Sequence, residues 1–215
     1  MRGRAERKSG LTISGSSDFV HSPLDRSQTK AAVYTEASAR QAVFAWLDHV
    51  VIGQNFCPFA RMARQRDRIC MPVCSSGDPG KTLQVLSDAA TALLAGHADD
   101  TVLLLLPDAY ADFDDFLDLV SLADALLIDL GFEGQLQLAS FHPHYQFADV
   151  EPEHVGNWTN RSPVPILHLL QEASLAQNIQ RYPDTDMIPV HNIAQLEAMD
   201  SKDLDELKRI CLALD

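Results

Sequence analysis

The sequence predicts an α/β protein: one domain on a small, mainly parallel sheet, with strand and helix alternating, extra helices on the N-terminal side and a helical segment at the C-terminus. Three observations carry this expectation. Apolar runs of strand length, "RICMPVC", "TVLLLLP" and "QLQLASF", are separated by longer segments with helical periodicity. Such alternation implies right-handed crossovers between parallel strands. A chain of 215 residues, 46% hydrophobic, is long enough for one substantial core and does not require two.

Residues 1–34 hold six of the seventeen Lys and Arg, many Ser and few large apolar side chains. Burial there cannot offset chain entropy, so a disordered tail is expected, with the domain running over 35–215. From Thr35 onward, Val43, Phe44, Leu47, Val50 and Val51 form a helical stripe that Gly53 stops. In "NFCPFARMARQRDR", Pro58 suits the first position of a second helix and Cys57 its cap. A strand over 68–74, a helix from Lys81 to Ala95, a strand over 101–107, a helix from Asp112 to Leu130 and a strand over 135–141 follow. Pro163 is expected to open another helix, capped by Ser162, with Leu167, Leu170 and Ala173 or Leu175 facing the core. A turn within 181–192 then leads into one or two short helices.

Charge and cysteine usage narrow the classes. The formal net charge is -13, and beyond the tail eleven basic residues face twenty-seven acidic ones, a field that repels a phosphate backbone and argues against nucleic acid as a partner. No apolar run approaches the roughly 18 to 20 residues of a membrane span, so no membrane partner is expected. The early Arg and Lys are followed by no continuous apolar stretch, which disfavours a secretory signal, and Cys57, Cys70, Cys74 and Cys211 then read as reduced thiols of a cytoplasmic protein. Oligomeric state is not legible.

Ligands of open parallel sheets bind beyond the carboxyl ends of the strands, which directs attention to "FHPHYQF" and to "NRSPVPILHLLQE". Between Lys81 and Arg181 stand fifteen Asp and Glu but one basic residue, Arg161. Beside it, Asn160 and the helix expected to start at Ser162 would hold a small phosphate- or carboxylate-bearing molecule, with His144 and Tyr145 as further contacts. The bland alternative is an ordinary cap and an arginine paired to an acidic neighbour. His168 and Glu172, four apart, would share a helical face, so Glu172 could orient His168 as a base. Cys57, at a helix start with Arg61 and Arg64 further along, is a nucleophile candidate or else a core plug between two phenylalanines. His142 or His168 would carry the proton.

"NFCPFA", "FHPHYQFA" and "TNRSPVPILHLLQEAS", in that order, resemble an uncharacterised bacterial family, the domain of unknown function 1415, over roughly residues 35–200. The resemblance implies an α/β protein of unknown activity and supplies no catalytic residue.

Three readings result. The first is an enzyme, a hydrolase or transferase, acting on a small anionic metabolite through Cys57, His142, His168 and Glu172, with Asn160, Arg161, Ser162, His144 and Tyr145 binding the ligand. The second is a metal-dependent hydrolase with His142, His144, His168 and Glu172 as ligands; the sequence requires no cofactor, although it is compatible with a divalent metal. The third is a ligand-binding or interaction module whose polar residues satisfy one another.

Overall fold

The computed structural model describes residues 34–97, 100–174 and 187–213. The expected tail, apart from Tyr34, lies outside the described residues, as do Leu175 and the first half of the expected 181–192 turn. Helix α1 (Glu36–Trp46) starts at Thr35, whose side chain accepts from the Ser38 N–H while Ser38 returns a bond to the Thr35 backbone. It runs on into a π turn (Leu47–Val51). The segment stops before Gly53, where a Cβ would overlap the carbonyl oxygen of His49. After α2 (Ala60–Gln65) and β1 (Ile69–Cys70) come α3 (Pro79–Ala95), capped by Asp78, β2 (Thr101–Leu105), α4 (Phe113–Asp129), capped by Asp112, and β3 (Leu136–Phe141). A 3-10 turn (Val155–Thr159), β4 (Ile166–Gln171), α5 (Ile188–Ala198) and α6 (Ser201–Cys211) complete the described chain.

The fold is α/β, with one correction. The segment after Pro163 is a strand, not a helix, because Pro163 and Pro165 favour extended backbone and the residues beyond them are buried on alternating sides. The sheet order is β1-β2-β4-β3. β1 pairs with β2 in parallel, whereas β4 runs antiparallel between β2 and β3, with Leu103 and Ala139 both opposite His168. The sheet is therefore mixed: β1, β2 and β3 share a direction and β4 opposes them.

Because successive side chains of a strand point to opposite faces, the sheet carries two cores. Val102, Leu104, Leu167 and Leu169 pack against Leu86, Ala90 and Leu93 of α3 and Phe116, Leu119 and Ala123 of α4. On the other face Leu103, Leu105 and Ile166 meet Val43 and Trp46 of α1, the π turn, and Leu207 and Cys211 of α6. Fully burying a leucine side chain contributes roughly 1.5–3 kcal/mol, so each layer is anchored by several such contacts.

Candidate active site

The second face is incompletely filled. Between it and the first two helices lies a cavity of about 390 Å³, within the roughly 300–1,000 Å³ usual for small-molecule sites. Thr101, Leu103, Ala139, Phe141, His168 and Leu170 form its floor. Trp46, Leu47 and Val51 of α1 and the π turn, with Cys57, Ala60 and Ala63 around α2, form its roof. A π turn widens a helix by one residue per turn and is frequent at functional sites; here two of its apolar side chains line the cavity. Arg66, Arg68, Asp100, Gln171 and Ser174 line the end where β1 and β2 begin and β4 finishes.

His168 and Thr101 are the polar centre of the floor. Thr101 Oγ1 lies 2.8 Å from the Leu169 carbonyl oxygen and 2.7 Å from His168 Nε2. A hydroxyl has one proton; the carbonyl can only accept it, so Nε2 must donate to Oγ1 and Nδ1 carries the lone pair. No described residue hydrogen-bonds Nδ1, and it is not among the buried unpaired polar atoms, so that lone pair opens on the cavity. Burial lowers the His168 pKa to about 4, which keeps the ring neutral near pH 7.

Cys57 does not cap a helix. α2 begins at Ala60 after an uncapped Phe59, because Cys57 to Phe59 form a turn first. Burial raises the thiol pKa even though the Phe59 and Ala60 N–H groups bond the sulfur, so the nucleophile candidate rests as a protonated thiol. At the far end Arg68 Nη1 pairs with Asp100 Oδ1 at 3.2 Å, while Asp100 Oδ2 accepts from the His97 N–H at 2.8 Å. Arg68 Nε is buried with no hydrogen-bond partner, which for such a donor costs roughly 1–3 kcal/mol.

The other expected site residues gather at the opposite edge of the sheet, where they close the 142–165 loop between β3 and β4. His142 is fully buried with both nitrogens engaged: Nε2 meets the Tyr110 carbonyl oxygen at 2.9 Å and Nδ1 accepts from the His144 N–H at 3.0 Å. Burial holds it near a pKa of about 4, and no nitrogen is left for proton transfer. His144 is exposed beside it, and Tyr145 packs its ring 5.4 Å from Phe113. Asn160 donates to the Ser140 carbonyl oxygen, and its own carbonyl oxygen accepts from the His142 N–H. Ser162, fully buried, donates to the Val164 carbonyl oxygen at 2.6 Å rather than capping a helix.

Arg161 donates through Nε to Tyr145 and through Nη2 to Pro152, both at backbone oxygens, and lies 4.4 Å over the Trp158 ring. It does not enter the cavity with Cys57. Asn157, which sequence reasoning passed over, is the hub: its side chain accepts from the Phe147 N–H and donates to the Glu151 and Pro152 carbonyl oxygens. Glu172 is exposed and lies past the end of β4, and the side chain that hydrogen-bonds the His168 ring is that of Thr101. The metal set His142, His144, His168 and Glu172 is thus not assembled, and no group of three or more His, Cys, Asp or Glu among the described residues could hold a metal ion.

Residues 38–206 match the family model described as "Protein of unknown function (DUF1415)". The chain belongs to this family. No curated protein and no solved structure matches it. Of the family-like blocks, "NFCPFA" reaches the cavity roof, whereas "FHPHYQFA" and "TNRSP" build the DUF1415 loop clasp. Among the described residues no helix is long and apolar enough to cross a membrane.

Proposed function

We propose that the protein is an enzyme, a hydrolase or transferase, that takes a small anionic molecule into the cavity beneath α2. Cys57 is the nucleophile and His168 moves its proton. The observation that supports this most is that one cavity collects Cys57 and an oriented, neutral His168 whose Nδ1 is open. Both groups rest uncharged, so the proton passes from sulfur to Nδ1 as sulfur attacks a carbonyl carbon. The leaving group then departs with that proton as the carbonyl carbon's bond to it breaks. Water, or a second acceptor in a transferase, attacks the acyl-sulfur bond and restores the thiol. The reading places the protein in the cytoplasm, where its four free cysteines stay reduced.

A binding protein without turnover is the second reading, favoured by the raised thiol pKa of Cys57. A panel of small carboxylic esters, thioesters and amides separates the two. Turnover by the full chain, reduced on the order of 100-fold or more by both Cys57→Ala and His168→Gln, supports the enzyme. Turnover retained by Cys57→Ala removes the nucleophile assignment, and binding without turnover selects the second reading.

A further inference from the structure

We propose that β3 pairs with β3 of a second copy of this chain, antiparallel about Leu138, joining two four-stranded sheets and bringing Gln137 of the partner subunit against Ala139 at the cavity floor. The inference goes beyond the proposed reaction and does not depend on it. β3 is an edge strand, and successive residues of a strand alternate the side to which their N–H and carbonyl point. The Glu172 N–H donates to the Gln135 carbonyl oxygen at 2.9 Å, and in that register Gln137, Ala139 and Phe141 turn towards β4. Leu136, Leu138 and Ser140 therefore turn outward.

The ends of this outer edge are already closed. The Leu136 N–H donates to the Phe132 carbonyl oxygen, and the Ser140 carbonyl oxygen accepts from the Asn160 side chain. Without a hydrogen-bond partner among the described residues are the Leu136 carbonyl oxygen, both backbone groups of Leu138 and the Ser140 N–H. This set is complementary to itself. Turned about a two-fold axis beside Leu138, the two Leu138 residues exchange both bonds, and each Ser140 N–H meets the other copy's Leu136 oxygen. Every open group is used and none that is taken.

The surroundings fit the same partner. "LQLASF" carries no charge and no proline, the usual devices that keep an edge from pairing. α4 packs over β3, outside α3, and so flanks this edge on the first face. Four of the six exposed large apolar side chains among the described residues, Leu117, Leu122, Ile128 and Leu130, belong to α4 and its C-cap. The aspartates of α4 oppose the approach of a second α4, a repulsion that salt screens. Residues directly opposite share a face, so both cavities open on one side of the joined sheet. Gln137 and Ala139, which both line the cavity, then stand opposite Ala139 and Gln137 of the partner subunit, at about 4.5 Å between Cα atoms.

The test is sedimentation equilibrium of the reduced full chain from about 1 to 100 μM in about 0.5 M sodium chloride. A concentration-dependent species of about twice 23.7 kDa is expected. Leu138→Pro removes an N–H that points away from β4, so the ladder with β4 keeps its bonds; it should weaken association at least about tenfold, whereas Leu138→Thr, which keeps the N–H, should still associate. Circular dichroism verifies the fold of each variant. A second measurement fixes the register and stands even where Leu138→Pro does not fold. Gln137→Cys and Ala139→Cys chains, mixed and mildly oxidised, should give a disulfide-linked peptide pair joining positions 137 and 139, seen by mass spectrometry in the mixture and not in either chain alone. A monomer throughout the range, a dimer unweakened by Leu138→Pro, or a dimer lacking the 137–139 link overturns the inference.

Discussion

His168 donates its Nε2 proton to Thr101 Oγ1 over 2.7 Å, across the β2–β4 pair, because the Thr101 hydroxyl proton is committed to Leu169. Thr101→Val keeps the shape and removes the acceptor. The buried N–H left behind should lower stability by about 1–3 kcal/mol. Urea unfolding measures this, and nitrogen-15 NMR should find the Nε2–H form of His168 in the wild type and in Thr101→Ser, and a changed tautomer population in Thr101→Val. An unchanged tautomer in the valine variant would show that Thr101 does not set it.

Acid should unfold the protein partly through its two buried histidines. Both His142 and His168 have folded-state pKa values lowered to about 4 from an ordinary 6.5. The folded state therefore stays unprotonated where the unfolded chain takes up protons, so their contribution is complete above about pH 6.5 and is lost as pH falls towards 4. For the fully buried His142 this reaches about 3 kcal/mol, since a tenfold change in proton affinity corresponds to about 1.4 kcal/mol. Stability measured from pH 7 to 4 should fall with a slope that drops by roughly one proton in His168→Gln. Equal slopes in the two proteins would rule out a neutral His168.

Arg161 should matter for stability and not for the cavity. Arg161→Met removes two hydrogen bonds to carbonyl oxygens and the stacking on Trp158, a loss of about 2 kcal/mol. Melting should shift down by roughly 4–8 °C. Calorimetric titration with cavity ligands should give unchanged affinity; a variant with full stability and lost binding would restore Arg161 to the site.

The four thiols should differ in reactivity. Cys70 is exposed and is expected to be alkylated first by iodoacetamide at neutral pH. Burial raises Cys57, and it pushes Cys211 to about 12, so Cys57 should react slowly with a rate that climbs as pH rises, and Cys211 only on unfolding. Peptide mass spectrometry after timed quenching resolves the order. Cys57 modification faster than that of Cys70 at pH 7 would refute the protonated thiol.

Much of the frame was legible in the residues. Thr35 as a start, Gly53 as a stop, the strand in "TVLLLLP" and the two 17-residue helices α3 and α4 stand close to where periodicity and caps put them. The segment after Pro163 was not, since Leu167 and Leu170 fit a helical spacing as well as a strand buried on both faces, and a short apolar run does not separate the two. Alternating Pro163 and Pro165 were the available signal for extension.

The site was half legible. Cys57 and His168 could be singled out by type, yet their common cavity depends on β4 lying beside β2, a pairing between distant segments that no local pattern encodes. Thr101 and Arg68 went unseen for the same reason, although the arginine run of 61–68 was in view. The polar residues of "NRSP" drew attention because a clasp that pins a long loop needs the same donors and acceptors as a ligand site.

The position of β4 also constrains how the protein is made. It is last of the described strands in the chain, yet it fills the gap between β2 and β3, so while the ribosome is still adding the loop before it, β3 has no strand beside it and β2 has one open edge. Nascent chains stalled or cut within 142–165 would carry those unpaired edges and apolar strand faces together, making them targets for chaperones and for aggregation. Each newborn molecule crosses that vulnerable interval until Gln171 has emerged.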